Sequence, residues 1–351
     1  MPLTGIFPDQ NIKLMKEALF YKTLGSDTVQ CLLCPHHCRL SIGEEGKCRV
    51  RINENGKLII KSYGVISAIH TDPVEKKPLY HFYPGKKILS IGSFGCNFHC
   101  DFCQNWEISQ SFPTNHYKLH HASVDEIIEK AKQIKDNIGI AFTYNEPVIN
   151  YEFVFELAVK AKESGLKTAM ISNGFIAEKP LMHLLTYIDA FNIDLKVFSD
   201  DLYRKYSGGR LSPVLRNLKT IRKRNCHLEI THLIVTGMSD NTEFFDDMLN
   251  WIVNELGEHT VLHLSRYFPN YQMNRPPTTP SLLKYMFDKT QQKLPYVYLG
   301  NIFLDGSSDT SCHNCHSTVI ERYAYEVNVS GLDENGNCSN CGQNIIQLIW
   351  K

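Results

Sequence analysis

No stretch of the 351-residue chain approaches the ~20 consecutive apolar residues that a membrane-spanning helix needs, so no membrane partner is expected. An excess of charge is also lacking, with 37 Lys and Arg against 37 Asp and Glu. That balance removes the global attraction by which nucleic acids and anionic surfaces are recognised, and no nucleic-acid partner is expected. The opening Met1-Pro2-Leu3-Thr4-Gly5 lacks the basic and apolar regions of a signal peptide, which makes a cytoplasmic location the expectation. No internal repeat or low-complexity linker interrupts the chain, and its length suffices for a large core and up to two domains.

Cysteine, by contrast, is abundant. Twelve cysteines in a small secreted protein would suggest disulfides, but here they are grouped at metal-ligand spacings in a long chain. Reduced thiols and bound metal are therefore expected, with oxygen sensitivity. Cys31, Cys34, Cys38 and Cys48 form an N-terminal group, Cys96, Cys100 and Cys103 a central triplet, and Cys312, Cys315, Cys338 and Cys341 a C-terminal group. Cys226 is left over, in the strand-like run Cys226 to Val235, where a small buried hydrophobe is its expected role.

The triplet carries the most specific chemistry. Its three-then-two spacing follows the apolar run from Lys87 to Ser93. Three thiolates in one loop can hold three irons of a 4Fe-4S cube and leave the fourth without a protein ligand, open to a substrate. The plainer readings are a structural zinc loop or three buried thiols. A place at the end of a predicted strand, with aromatic Phe102 just before the third cysteine, favours the cluster.

Between the outer groups, short apolar runs alternate with helical patterns, which reads as an α/β protein built of βα units around a parallel sheet. Strands are expected near Lys87 to Ser93, Gly139 to Thr143, Lys167 to Ser172, Ala190 to Asp194, His227 to Val235 and Val261 to Ser265. Six of them imply a partial (βα)6 TIM barrel. Ser123 with Glu126 makes a capping box, and Asn241 opens a helix through Ile252. In such barrels the chemistry lies at the C-terminal strand ends. There stand Thr143-Tyr144-Asn145-Glu146-Pro147, whose carboxylate suits an ammonium group, and Ser172-Asn173-Gly174, a polar turn suited to ribose hydroxyls. Asp194-Leu195-Lys196 sends its two charged residues to one face, and Arg266 ends the sixth strand. Each alone is a turn or a salt bridge; together they read as one cofactor site.

The triplet with Cys103-Gln104-Asn105-Trp106-Glu107-Ile108, the upstream Asp72-Pro73-Val74-Glu75-Lys76-Lys77-Pro78-Leu79-Tyr80-His81-Phe82, and Tyr144-Asn145-Glu146-Pro147 closely resemble the AmmeMemoRadiSam system radical SAM enzymes. That family is related to the pyruvate formate-lyase activating enzymes, and the resemblance covers nearly the whole chain. It implies a barrel of the radical S-adenosylmethionine (SAM) type. A 4Fe-4S cluster on Cys96, Cys100 and Cys103 would chelate SAM and cleave it reductively, giving a 5'-deoxyadenosyl radical that abstracts hydrogen from a substrate. Phe102 would contact adenine and Glu146 the amino group. Ser172 and Asn173 would meet ribose or adenine, and Asp194 and Lys196 the remaining polar ends, beside Tyr144, Asn145 and Arg266. Where the wider superfamily usually has Gly-Gly-Glu, this chain has Tyr144-Asn145-Glu146. An electron donor such as flavodoxin or ferredoxin is implied, with an unidentified substrate that is a small molecule or a co-encoded protein.

The N-terminal group, with enough thiolates for one closed site, suits zinc or an auxiliary iron-sulfur cluster. The C-terminal knuckles, Cys312-His313-Asn314-Cys315 and Cys338-Ser339-Asn340-Cys341, are separated by 22 residues and read as a zinc ribbon, with Tyr323 to Val329 as a strand between them. The chain thus divides into a four-cysteine metal-binding segment and linker over 1–85, a radical SAM core over 86–300, and a zinc-ribbon-like domain over 301–351. The Asp72 to Phe82 loop is expected to line the barrel mouth with Glu75, Lys76, Lys77 and His81, or to be a solvated linker. Two other functions stay open: activation of a glycyl-radical enzyme, and a non-catalytic iron-sulfur and zinc electron carrier or scaffold.

Overall fold

The computed structural model describes residues 15–111 and 120–346; the opening Met1 to Gly5 lies outside them. Eight strands form one open sheet: β1 (Ala68–Pro73), β2 (Lys87–Gly92), β3 (Asn137–Phe142), β4 (Lys167–Ser172), β5 (Ala190–Asp194), β6 (His227–Ile234), β7 (Val261–Arg266) and β8 (Val297–Gly300). Their spatial order is β8-β7-β6-β5-β4-β3-β2-β1. Strands β2 to β8 run parallel, and β1 pairs antiparallel with β2 at the edge. The six expected strands are all present, with two more outside them. The sheet is a parallel α/β sheet with a short seventh parallel strand.

Helices α1 (Val124–Gln133), α2 (Tyr151–Glu163), α3 (Glu178–Leu184), α4 (Asp200–Ser207), α5 (Leu211–Lys223), α6 (Thr242–Leu256) and α7 (Pro280–Gln291) fill the connections. Their starts obey local chemistry. Ser123 and Glu126 form the expected capping box on α1, and the Asn241 side chain accepts from Phe244 N at 3.0 Å to open α6. Apolar faces of these helices, such as Ile127, Ile128 and Ala131 of α1, are buried in the main core.

Before the sheet, two small three-stranded antiparallel sheets carry the first cysteine group. They are fixed to the helices around the main sheet by Arg51, which is 1% exposed and binds both carboxylate oxygens of Glu152 in α2, at 3.2 and 2.5 Å, and Ile149 O at 3.1 Å. A second fastening is Gly95, at φ +84°, where an added Cβ would lie 2.6 Å from Cys48 O. Only glycine permits that approach.

After β1 the chain crosses to the inner face of the sheet. There the fully buried Glu229 of β6 accepts Tyr80 N at 2.9 Å and His81 N at 2.8 Å. It also accepts from His227 Nε2 at 2.8 Å and His263 Nε2 at 2.6 Å. Burial opposes its charge, but the two histidine hydrogen bonds outweigh that and hold its pKa well below 4.5. The Asp72 to Phe82 segment is therefore a buried brace, not a solvated linker. Of residues 68–85, only Ala68–Pro73 forms the edge of the central sheet.

The C-terminal unit has strands β9 (Thr310–Ser311), β10 (Thr318–Tyr323) and β11 (Glu326–Asn328) in one antiparallel sheet. The single strand expected over Tyr323 to Val329 is instead the end of β10, a turn and β11. The turn is made by Ala324 at φ +53°, and alternation continuing across it concealed it in the sequence. Arg322 of β10 donates to Tyr80 O at 2.7 Å, with its guanidinium 4.4 Å from the Tyr80 ring centre, so this unit docks on the brace.

Glu229→Ala strands two backbone N–H groups and two histidines in the core and should cost about 3 to 5 kcal/mol by urea unfolding. Because the folded-state pKa lies below the unfolded one, that contribution is complete above pH 4.5 and is lost as pH falls through the folded value. The gap between wild type and variant should narrow on acidification, and a pH-independent gap contradicts the assignment. Gly165, at φ +73° with nothing near its Cβ position, provides a control for Gly95. Gly165→Ala should cost about 1 to 2 kcal/mol of backbone strain, and Gly95→Ala distinctly more by thermal unfolding. Equal losses would refute the close approach.

Candidate active site

The loop after β2 holds the cysteine triplet by contacts to asparagines. Asn145 accepts from Ser93 N at 2.9 Å and donates to Gly95 O at 3.0 Å, gripping the loop before Cys96. Asn97 donates to Phe175 O at 2.9 Å and accepts from Asn173 Nδ2 at 2.8 Å. Asn105 donates to Tyr144 O at 2.7 Å, closing the loop's far end against the β3 turn. Phe98 N donates to Cys96 Sγ at 3.3 Å, and Cys103 N to Cys100 O at 3.1 Å.

Cys96, Cys100 and Cys103 are free thiols that line one cavity of about 970 Å³. Burial raises the pKa of all three, Cys100 to about 11. As thiols they would stay neutral, whereas bound metal deprotonates such groups outright. Their shared cavity and lack of disulfide partners fit a cluster ligated by three cysteines.

The ends of β3, β4 and β5 face the same cavity. Glu146 is 3% exposed and accepts from Val148 N at 3.0 Å, Ser172 Oγ at 2.8 Å and Asn173 N at 2.8 Å. Burial pushes its pKa up to about 7 against these three donors. Three of roughly four lone-pair sites are thus filled, and one remains for an incoming donor. Asp194 and Lys196 pair at 2.8 Å and both line the cavity, as does Phe102. Tyr144 sits at φ +71° with its hydroxyl donating to Asp72 at 2.7 Å. The Asn145 amide thus holds the loop, the Tyr144 hydroxyl holds Asp72, and both residues line the cavity.

Arg266 is not brought to this cavity. Strand alternation presents its neighbour Ser265 instead, while Arg266 donates to Thr278 O at 2.8 Å and stacks over Phe268. Glu75, Lys76 and Lys77 line the cavity, but His81 turns away to Tyr298 Oη at 2.6 Å. Sequence reasoning missed the fourth wall, formed by the loop after β8 and by Arg322, Tyr323, Ala324 and Tyr325 of the C-terminal unit. Exposed Phe303, Tyr323 and Tyr325 in otherwise polar segments were the available signal. The Sγ atoms of Cys312 and Cys341 lie 3.6 Å apart, as do those of Cys315 and Cys338, and all four lie within 4.8 Å of one another. Cys226 is half-buried against the main core at the start of β6.

Comparison with known proteins agrees with this geometry. The radical SAM superfamily is matched over residues 90–252, which contain the triplet and the ends of β3, β4 and β5. The chain is 40% identical over 335 residues to an uncharacterized protein of Methanocaldococcus jannaschii, covering 94% of this chain and 99% of that one. It is 23% identical over 188 residues to a pyruvate formate-lyase-activating enzyme of Clostridium pasteurianum, covering 49% and 75% of the two chains. A radical SAM methyltransferase from Sphaerobacter thermophilus shares the fold at TM-score 0.50 and 11% identity, over 81% of this chain and 76% of that one. With the triplet and its surrounding strand ends falling inside the matched region, the chain belongs to the radical SAM superfamily and is homologous to the pyruvate formate-lyase activating enzymes.

Proposed function

We propose that this chain is a radical SAM enzyme of the AmmeMemoRadiSam type, with its sheet curled as a partial barrel around the cavity. The observation that carries this reading is the convergence of three free thiols, one buried and two half-buried, and three successive strand ends on one space. When bound, a 4Fe-4S cluster and SAM supply reductive cleavage of the sulfonium and, through it, hydrogen-atom abstraction. The chain's own residues bind, orient and shield. Cys96, Cys100 and Cys103 ligate three irons, and the asparagine contacts fix the loop that carries them. The free lone pair of Glu146 takes the SAM ammonium. Ser172 and Asn173 hold ribose or adenine, Phe102 packs on adenine, and the Asp194–Lys196 pair meets the remaining polar ends. Cavity space between Glu75, His263 and Arg322 is left for the substrate.

The C-terminal cysteines suit zinc. At a Zn–S length of ~2.3 Å, tetrahedral thiolates stand about 3.8 Å apart, close to the 3.6 Å found. The site is closed, so the metal's role is to fold the unit that forms the fourth wall. The division at 1–85, 86–300 and 301–351 is retained as a division of metal chemistry. Partner-protein activation is a second reading, favoured by the activating-enzyme kinship and by exposed Phe303, Tyr323 and Tyr325 at the mouth.

Anaerobic reconstitution with SAM and dithionite tests the reaction. Wild type should release 5'-deoxyadenosine and Cys100→Ala none; full yield from the variant overturns the assignment. Glu146→Gln should weaken SAM binding by about 1.5 to 3 kcal/mol, roughly 10- to 150-fold, without changing iron content. Unaltered affinity by titration would make Glu146 solely a brace for the β4 turn.

A further inference from the structure

We infer that Cys31, Cys34, Cys38 and Cys48 hold an iron-sulfur cluster of their own, packed against the loop of the central triplet, and not a zinc ion. The molecule contains its own calibration. The C-terminal cysteines approach to 3.6 Å and all lie within 4.8 Å of one another, the scale of ligands around one ion. Among the described residues no other three cysteines close so tightly. That holds for the central triplet, whose superfamily places each thiolate on a separate iron, and it holds equally for the N-terminal quartet. A cube spreads its ligands over its corners, and a single ion draws them together. The quartet surrounds one cavity without closing to the single-ion scale.

The surroundings suit a cluster. All four cysteines line one small cavity, walled by the buried Arg51 and Ile149. The Arg51 charge acts on both Cys31 and Cys48, and both oxygens of Glu152 hold its guanidinium in place. A four-thiolate cluster carries net negative charge, and a fixed buried cation beside it lowers the cost of burying that charge.

The quartet also touches the triplet's loop on both sides of Cys96. Cys48 O meets Gly95, and His36 Nε2 hydrogen-bonds to Asn97 O at 2.7 Å. Arg210 donates to Pro35 O at 2.7 Å, fixing the same corner. Two clusters so placed would be neighbours through backbone contacts alone.

The test uses full-length chain with Cys96, Cys100 and Cys103 all changed to Ala, purified and reconstituted without oxygen. It should retain iron with an equal amount of sulfide, a visible cluster absorption, and zinc only at the C-terminal site. Adding Cys34→Ser should remove that iron while sparing the zinc. If this fourth change prevents folding, the retained iron of the triple variant still decides. Reduced wild type should show EPR signals broadened by interaction between two adjacent spins, and the triple variant a single unbroadened signal. A triple variant without iron, whether it carries a second zinc or no metal at the quartet, overturns the inference. Because these readouts need no SAM cleavage, their failure is distinct from failure of the proposed reaction.

Discussion

The buried carboxylate of Glu229 is the interaction on which the cavity depends. With four donors around it, it holds the crossing segment against the inner face of β6. The segment then presents Tyr80, whose carbonyl and ring receive Arg322 of the C-terminal unit. One charged group inside the sheet thus positions a wall more than 90 residues away in sequence. An unpaired carboxylate there would be among the costliest groups a core can contain, and its full complement of donors makes it an anchor instead.

The turn after β3 shows a second constraint. Tyr144 occupies the left-handed region at φ +71°, at a place where the wider superfamily usually has glycine. Strain of about 1 to 2 kcal/mol is expected there for a residue with a Cβ. The Tyr144 hydroxyl bond to Asp72 and its carbonyl bond from Asn105 act in the opposite direction. Through its side chain and its backbone carbonyl together, Tyr144 links the crossing segment, the cysteine loop and the strand end that carries Glu146. The glycine usual at this position gains backbone freedom, and this chain gains a strut.

Much of this was legible in the sequence, for physical reasons that also mark the limits. Strands β2 to β7 are buried on both faces by helices and inner-face packing, so they read as apolar runs. Strand β8 has only four residues, beginning two after Pro295, too short for a periodic signal. Strand β1, Ala-Ile-His-Thr-Asp-Pro, is an antiparallel edge strand, and its polar residues hid it. Cysteine spacing exposed the C-terminal group that gathers at ion-binding distance, but not the distances between thiols, which arise from tertiary packing. The direction of Arg266 was lost to a strand boundary one residue later than expected, which sends its side chain to the opposite face. Glu229 sits within a strand as His-Leu-Glu-Ile, where a lone carboxylate reads as a solvent-facing residue until its four donors converge from distant segments.

The fourth wall follows the sheet in the chain. Its attachment to the sheet runs through the crossing segment, where Arg322 docks on Tyr80. Tyr323 and Tyr325, next to that docking point, line the cavity. Glu229 itself lies outside the cavity lining, yet it holds the segment on which this wall hangs. A change at Glu229 therefore reaches the rim of the cavity from within the sheet.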